Sequence, residues 1–223
     1  MKNTTKQRVG RPARISQNDV SQAALDIGLD KVTVKAIGQH LGVDHSSLYR
    51  HVKSRNDILY AATDSAFLSI KSPQQTDHWR LYIEAIADQV WELYERYPGL
   101  ADLVRTMDRI PSSAIRLFSS TCLVLETHGF SKQDSVLIVD SVFDMTSEAS
   151  VGWKRLTQPN RNGGNIGESR MMSWNDVAEE HEETAIHVEI FNQIMKGGAK
   201  NWWWKKLSLV LDGAELKLKN TVV

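Results

Sequence analysis

Residues 33–53 read TVKAIGQHLGVDHSSLYRHVK, and this stretch decides the fold of the N-terminal part of the chain. Apolar residues recur in it at helical spacing, at Val34, Ile37 and Leu41 and again at Leu48 and Val52. Gly42 separates the two groups and supplies the permissive backbone that a sharp turn between helices needs. Asp44 follows as an N-cap for the second helix. The stretch therefore predicts two short helices joined by a tight turn, which is the layout of a helix-turn-helix.

The outer face of the second predicted helix is polar and cationic. Once the apolar positions are removed, the remaining residues are His45, Ser46, Ser47, Tyr49, Arg50, His51 and Lys53. No carboxylate follows Asp44 within the stretch, whereas an ordinary solvated helix usually mixes in Glu. Hydrogen-bonding and cationic side chains suit base edges and phosphates, so the stretch predicts DNA binding. Thr33, as the N-cap of the first helix, and Lys35 are further candidates for phosphate contacts.

The first fourteen residues, MKNTTKQRVGRPAR, carry five cations and no acid. They contain almost nothing to bury, so we expect residues 1–14 to be a disordered basic arm. Arg8, Arg11 and Arg14 surround a Gly-Arg-Pro step similar to basic arms that enter the minor groove. The alternative is that the arm only promotes solubility.

The run GVDHSSLYRHVKSRNDIL resembles the signature of the TetR family of bacterial transcriptional regulators. In that family a Leu-Tyr pair, an aromatic residue or His, and a Lys close the recognition helix. The resemblance covers about residues 14–65. Gly38 departs from the pattern, because helix-turn-helix proteins more often carry Ala there, although both residues are small.

Two later runs are similar to helices of tetracycline-repressor-like effector domains: LETHGFSKQDSVLIVDSVFDMTSEASVGW and WKKLSLVLDGAEL. The resemblance implies that these helices pair with their copies in a four-helix dimer interface. Each helix also has apolar residues on more than one face, and the second apolar face needs a partner. The predicted interface residues are Val136, Val139, Phe143, Trp203, Leu207, Val210, Leu211, Ala214 and Leu218.

Helical periodicity continues to the C-terminus without an alternating strand pattern, so we predict an all-α protein. Its domains are an N-terminal helix-turn-helix domain at residues 15–70 and a C-terminal helical effector-binding and dimerisation domain at residues 71–223. Ser16, Ser54 and Ser131 each precede an Asp by three residues, which predicts three capped helix starts. We expect a mobile loop at residues 157–169, one helix at about 175–195 and a last helix at about 199–219.

Aromatic and sulfur-containing residues are frequent in the second domain and suggest a pocket for a largely apolar molecule. The candidate ligand-binding residues are Trp91, Tyr94, Met107, Phe118, Cys122, Phe143 and Met145. The alternative is that this set simply forms the core.

Charge is unevenly spread although the net charge is zero. Residues 1–60 hold ten Lys or Arg and five Asp or Glu, and the remainder is correspondingly acidic. A basic N-terminal segment followed by an acidic remainder is typical of a protein whose N-terminal end contacts phosphate groups. Cys122 is the only cysteine and no long apolar run occurs, so we expect a soluble cytoplasmic protein without disulfides or membrane spans.

Other chemistry is weakly supported. Residues 179–183 and His187 form an acidic cluster, but the spacing of a two-His zinc site is absent, so we expect no metal. No phosphate-cradling glycine loop or nucleophile elbow occurs, and we expect neither a cofactor nor catalysis.

The resemblance implies a ligand-responsive regulator, most simply a repressor, that binds a palindromic operator as a homodimer. A small molecule would shift the helix that starts near Ser54 and release the DNA. Two alternatives stay open: a DNA-binding regulator that answers to a protein partner, and a helical enzyme.

Overall fold

The computed structural model describes residues 15–50, 52–73, 78–161 and 163–221. Within these ranges the chain forms eleven α-helices, a short 3₁₀ turn at Leu29–Lys31 and no strand, which confirms the all-α prediction. The helices are α1 Gln17–Ile27, α2 Val34–Leu41, α3 His45–Leu48, α4 Arg55–Leu68, α5 Trp79–Arg96, α6 Leu100–Thr106, α7 Ser112–Thr127, α8 Lys132–Leu156, α9 Ile166–Glu180, α10 Glu182–Lys196 and α11 Ala199–Thr221. None of the helices described is both long and apolar enough to cross a membrane.

The three predicted Ser–Asp caps are confirmed. The Ser16 hydroxyl accepts a hydrogen bond from the Asp19 N–H at 3.1 Å, and the Asp19 carboxylate accepts one from the Ser16 N–H at 2.8 Å. Ser54 and Ser131 likewise accept hydrogen bonds from the N–H groups three residues later, at 3.1 and 3.0 Å. These side chains satisfy backbone donors that the first helical turn leaves unpaired, so local sequence fixes where α1, α4 and α8 begin.

Helices α1 to α4 form a compact N-terminal unit. Its buried side chains come from all four helices and include Val20, Ala24, Ile37, Leu48 and Ile58. Between α2 and α3 the backbone reverses at Gly42, whose φ of 67° lies in the left-handed region. This confirms the predicted turn, since a residue with a Cβ is disfavoured in that region.

Helix α8 is the centre of the C-terminal part and packs against α5, α6, α7 and α11. Trp91 of α5 stacks on Trp203 of α11, with ring centroids 4.9 Å apart. The Trp203 indole N–H donates to the Thr146 hydroxyl at 3.1 Å, and this hydroxyl donates to the Val142 carbonyl at 2.6 Å. These contacts tie α5, α8 and α11 into one core.

Two junctions join the N-terminal unit to the rest. Helix α4 packs against α7, and the Leu29 N–H donates to the Pro98 carbonyl at 3.2 Å. Gly99 follows with a φ of 89°, and a Cβ at this position would stand 3.0 Å from the Asp30 backbone nitrogen. Only glycine allows the two segments to approach this closely.

Two sequence-based expectations about residues 157–195 are wrong. The loop is shorter than predicted, because Asn165 and Glu168 form a capping box that starts α9 at Ile166. The single helix predicted at 175–195 is two helices, which separate at His181 in an extended conformation. Folding back lets Trp174 of α9 stack on Phe191 of α10 at 4.7 Å, a contact that one continuous helix could not make.

Candidate DNA-reading and ligand-binding sites

Asp44 fixes the start of α3. Its carboxylate accepts a hydrogen bond from the Ser46 N–H at 2.8 Å, and its carbonyl accepts one from the Ser47 hydroxyl at 2.6 Å. Leu48 is completely buried and anchors the helix to the core of the N-terminal unit. Because one side of α3 is held in this way, its opposite side faces solvent in the manner of a recognition helix.

Four residues predicted to contact DNA are exposed on or beside this helix: Ser46, Tyr49, Arg50 and Lys53. Tyr49 has 57% of its surface exposed, although it is a large aromatic residue. The regular helix ends at Leu48, earlier than the spacing to Val52 predicts, yet the Val52 N–H still donates to the Leu48 carbonyl at 3.0 Å.

Ser47 differs from these four residues. It is half-buried and its hydroxyl already donates to Asp44, so its first role is to hold the start of α3. Arg8, Arg11, Arg14 and His51 lie outside the described residues, and for His45 only the backbone is described.

The start of α2 lies beside the start of α4. The Thr33 hydroxyl accepts a hydrogen bond from the Ala36 N–H at 3.0 Å, which confirms Thr33 as the N-cap, and Lys35 is exposed. The Arg55 guanidinium donates to the Val32 carbonyl at 2.7 Å. This bond fixes the N-terminus of α4 against the helix-turn-helix. Sequence gave no sign of it, because its two residues lie 23 positions apart.

The other half of α4 contacts α7. The Ser113 N–H donates to the Asp64 carboxylate at 2.8 Å, and the Ser113 hydroxyl donates to the Asp64 carbonyl at 2.9 Å. Near them the Arg109 guanidinium lies 4.3 Å from the centroid of the Tyr60 ring. Helix α4 is therefore fixed to the residue just before the helix-turn-helix at one end and to α7 at the other.

A cleft of about 320 Å³ opens where α7 meets α4, α5, α6 and α8. Its walls are mostly apolar and aromatic, with four residues that bear polar or charged groups, Tyr94, Arg105, Asp144 and Ser147. The lining residues are Phe67, Tyr94, Val104, Arg105, Ile110, Ala114, Ile115, Phe118, Phe143, Asp144 and Ser147. Phe118 and Phe143 meet edge to face, with ring centroids 6.1 Å apart. Apolar walls with a few polar groups are typical of small-molecule sites.

Three predicted ligand-binding residues, Tyr94, Phe118 and Phe143, line this cleft. Four others do not. Trp91 stacks in the core, Met145 packs against that core, and Met107 lines a separate, more polar cleft of about 380 Å³ between α4 and α6. Cys122 is buried, and this burial raises the pKa of its thiol. Trp91, Met145 and Cys122 thus lie in or against the core, as the alternative interpretation has it, whereas Met107 lines a different cleft; ligand binding at these four positions stays a prediction.

The polar groups of the cleft were not identified from sequence, apart from Tyr94. Arg105 forms an ion pair with Glu148 at 2.7 Å and donates to the Ser147 hydroxyl at 3.3 Å. Burial raises the pKa of the Tyr94 phenol; the nearby Asp144 carboxylate raises it further and Arg105 opposes the change. The Tyr94 hydroxyl therefore stays protonated at neutral pH and can donate a hydrogen bond.

Solved structures with the same arrangement are bacterial regulators. ActR of Streptomyces coelicolor in complex with (S)-DNPA has a TM-score of 0.75 at 15% identity, covering 92% of this chain and all of ActR. The complex of ActR with actinorhodin has a TM-score of 0.76 at 15% identity, covering 92% of this chain and 98% of ActR. The chain has the TetR-family fold. A TetR variant of Acinetobacter baumannii bound to minocycline superposes with a TM-score of 0.64 at 16% identity, over 92% and 99%.

Sequence comparison leads to the same group. The chain is 25% identical over 150 residues to the HTH-type transcriptional repressor Rv1353c of Mycobacterium tuberculosis, covering 64% of this chain and 57% of that protein. It is 27% identical over 116 residues to the repressor DrrR1 of Streptomyces coeruleorubidus, covering 47% and 43%. The TetR-like chain thus spans about half the length of the curated relatives it matches, 57% of Rv1353c and 43% of DrrR1. No protein-family model matches it.

The faces of α8 and α11 correct the predicted dimer interface. Five of the predicted residues are buried inside the protomer and cannot form a surface for a partner: Val139, Trp203, Leu207, Leu211 and Ala214. Phe143, Val210 and Leu218 are half-buried, and Val136 is exposed. The sequence indicates two apolar faces on α11. The face that we predicted to contact a second protomer packs instead against α8 and α5 of the same chain.

No group of three or more His, Cys, Asp or Glu side chains is placed to hold a metal ion in the part of this TetR-like chain that the structure describes. The acidic cluster at residues 179–183 contains the break between α9 and α10, and His181 lies 3.5 Å from Glu183.

Proposed function

We propose that this protein is a ligand-responsive transcriptional regulator, a repressor that binds a palindromic DNA operator as a homodimer. The observation that carries the proposal is the position of α4. Its first residue bonds to the segment before the helix-turn-helix, and Asp64 near its other end caps the helix that lines the cleft. A molecule that moves α7 therefore changes the orientation of the helix-turn-helix at residues 33–53, which we call the reading head.

The exposed side of α3 supports DNA binding. Ser46, Tyr49 and Arg50 face solvent around a helix whose other side is fixed by Leu48. An α-helix of this kind fits the major groove, where hydroxyl and guanidinium groups can read base edges. Lys35 and Lys53 lie on either side, where they can contact phosphates. A protein that binds chromosomal DNA in a bacterium acts in the cytoplasm, which we therefore propose as its location.

A homodimer is supported by a stripe on α11. Leu209 and Leu216 are 73% and 63% exposed and lie seven residues apart, hence on one face after two helical turns. Gly213 lies between them with open space around its Cα. Val136 and Leu137 add exposed apolar surface on α8. An apolar stripe with a small residue at its centre permits the close crossing of a helix with its own copy.

A small-molecule effector is supported by the aromatic cleft and by two related folds whose structures contain ligands, ActR with actinorhodin and TetR with minocycline. The regulatory effect requires that the ligand bind more tightly to the arrangement that does not bind DNA.

The proposal is tested by selecting duplexes from a random pool with the purified protein and measuring affinity for the enriched sequence and for a scrambled one. We expect an inverted repeat and a specific affinity at least a thousandfold above the non-specific one at ~150 mM salt. An unenriched pool would contradict the proposal. The variant Tyr49→Ala, which leaves the buried side of α3 unchanged, should bind the enriched duplex more weakly if α3 contacts the bases.

A further inference from the structure

The cleft beneath α7 contains one carboxylate without a partner. Asp144 lines the cleft where the cleft opens to solvent, since the residue is exposed, and its side chain makes no hydrogen bond or ion pair within the described part of the chain. The only cation of the lining, Arg105, is already paired with Glu148 at 2.7 Å and bonded to Ser147. Arg105 and Glu148 together carry no net charge, so the Asp144 carboxylate leaves this side of the cleft with a net negative charge.

Aromatic rings form the rest of this environment. Phe67, Tyr94, Phe118 and Phe143 line the cleft together with Asp144. Ring faces carry partial negative charge and attract cations, most strongly where water is excluded. An anionic molecule would meet both these ring faces and the Asp144 carboxylate, and it would compete with Glu148 for Arg105.

The Tyr94 hydroxyl is a second polar group of the cleft for which the described residues provide no hydrogen-bond partner. The side chain is only 7% exposed, yet it lines the cleft. A buried hydroxyl without a partner is costly, so one that faces a cavity is a natural anchor for a polar atom of a ligand.

We propose that this cleft binds a flat aromatic cation, such as a protonated amine on a fused ring system, with the charge near Asp144 and the ring against Phe118 and Phe143. Binding of the cation to the cleft does not depend on DNA. The inference rests on the proposed function only in the further step that the bound cation releases the DNA. The chemical class follows from a negative, aromatic cleft with a single hydroxyl anchor. Its volume of about 320 Å³ restricts the cation to a few fused rings.

Three probes share one ring system and differ in charge: aminoacridine, a cation at neutral pH, acridine, which is neutral, and acridine carboxylate, an anion. Binding is measured by fluorescence titration of the full chain without DNA. We expect the cation to bind roughly tenfold or more tightly than acridine, because a desolvated cation gains from both the rings and the carboxylate. We expect the anion to bind most weakly.

Asp144→Asn removes the charge and keeps the shape, and it should abolish the preference for the cation while acridine still binds. The matched control is Asp140→Asn, an exposed carboxylate one turn earlier on α8 that does not line the cleft. Tyr94→Phe should weaken aminoacridine and leave folding, followed by circular dichroism, unchanged.

Equal affinities for the three probes, or a preference for the cation that survives Asp144→Asn, would overturn the inference. If the cation binds as expected and the selected duplex is not released, the ligand class stands and the regulatory part of the proposed function fails. If the protein binds its duplex but prefers the anion, the ligand class fails alone.

Discussion

Asp64 of α4 caps helix α7 through Ser113. The carboxylate accepts the Ser113 N–H at 2.8 Å, and the Asp64 carbonyl accepts the Ser113 hydroxyl at 2.9 Å. A negative charge at a helix N-terminus also interacts favourably with the helix dipole. These two residues therefore link α4, which contacts the helix-turn-helix at its other end, to a helix that lines the aromatic cleft.

The first prediction concerns this link. Asp64→Ala should lower the free energy of unfolding by about 1 kcal/mol, the usual cost of losing a cap. More specifically, it should reduce the factor by which a bound ligand weakens DNA binding, while ligand affinity without DNA is unchanged. The measurement is a thermodynamic cycle of ligand and duplex titrations. Ser113→Ala, which keeps the capped N–H, should reduce the factor less than Asp64→Ala does, and the reverse order would contradict the assignment.

The second prediction divides the reading head by role. Lys53→Ala should weaken all duplexes alike and lower the slope of log affinity against log salt by about 1, because one phosphate contact is lost. Ser46→Ala should instead change which bases the protein prefers in a selection experiment. Lys196→Ala, at the exposed end of α10, is the control and should change neither quantity. A uniform loss for Ser46→Ala would argue against base contact at that position.

The third prediction tests the junction between Leu29–Lys31 and α6. Gly99→Ala places a Cβ 3.0 Å from the Asp30 nitrogen in a backbone with a φ of 89°. Gly163→Ala meets a similar φ of 84° with no atom within 4 Å, so it isolates the backbone strain. We expect Gly99→Ala to destabilise the protein by about 1 kcal/mol or more beyond Gly163→Ala in urea unfolding. Equal losses would show that the two segments are not in close contact.

The fourth prediction concerns the proposed dimer. Leu209→Glu places a charge on the exposed stripe of α11, so it should shift the protein to monomer in sedimentation at micromolar concentration. Leu123→Glu, at a position of similar exposure on α7, should remain dimeric. Ala214→Glu should unfold the protomer rather than separate two protomers, because Ala214 is buried against its own chain. If the Leu209→Glu variant remains dimeric, the exposed stripe of α11 is not the dimer interface.

Local features of the fold could be predicted from sequence. Helix starts at Ser16, Ser54 and Ser131 depend on residues three positions apart, and the turn at Gly42 depends on one backbone angle. The break at His181 could not be predicted, because neither Gly nor Pro marks it. Stacking of Trp174 on Phe191 across the hairpin accompanies the break.

Features that depend on distant residues escaped sequence analysis. The Asp64–Ser113 contact spans 49 positions. Helix α11 has two apolar faces, one with Trp203 and one with Leu209, and helical periodicity does not show which of them faces the core. In the structure Trp203 stacks on Trp91 and Leu209 is exposed. In the cleft, sequence identified aromatic residues but not the carboxylate of Asp144, since a lone Asp on a long helix is usually solvated.

The proposed function requires that this chain read a two-fold symmetric DNA sequence through α3. The most direct measurement is the stoichiometry and affinity of binding to the selected duplex, by fluorescence anisotropy, for the intact inverted repeat and for a duplex with one half-site scrambled. The account predicts two chains bound per intact duplex and an affinity at least a hundredfold lower when a half-site is lost, since each half-site supplies its own base contacts. One chain per duplex, or equal affinity for the two duplexes, would contradict it.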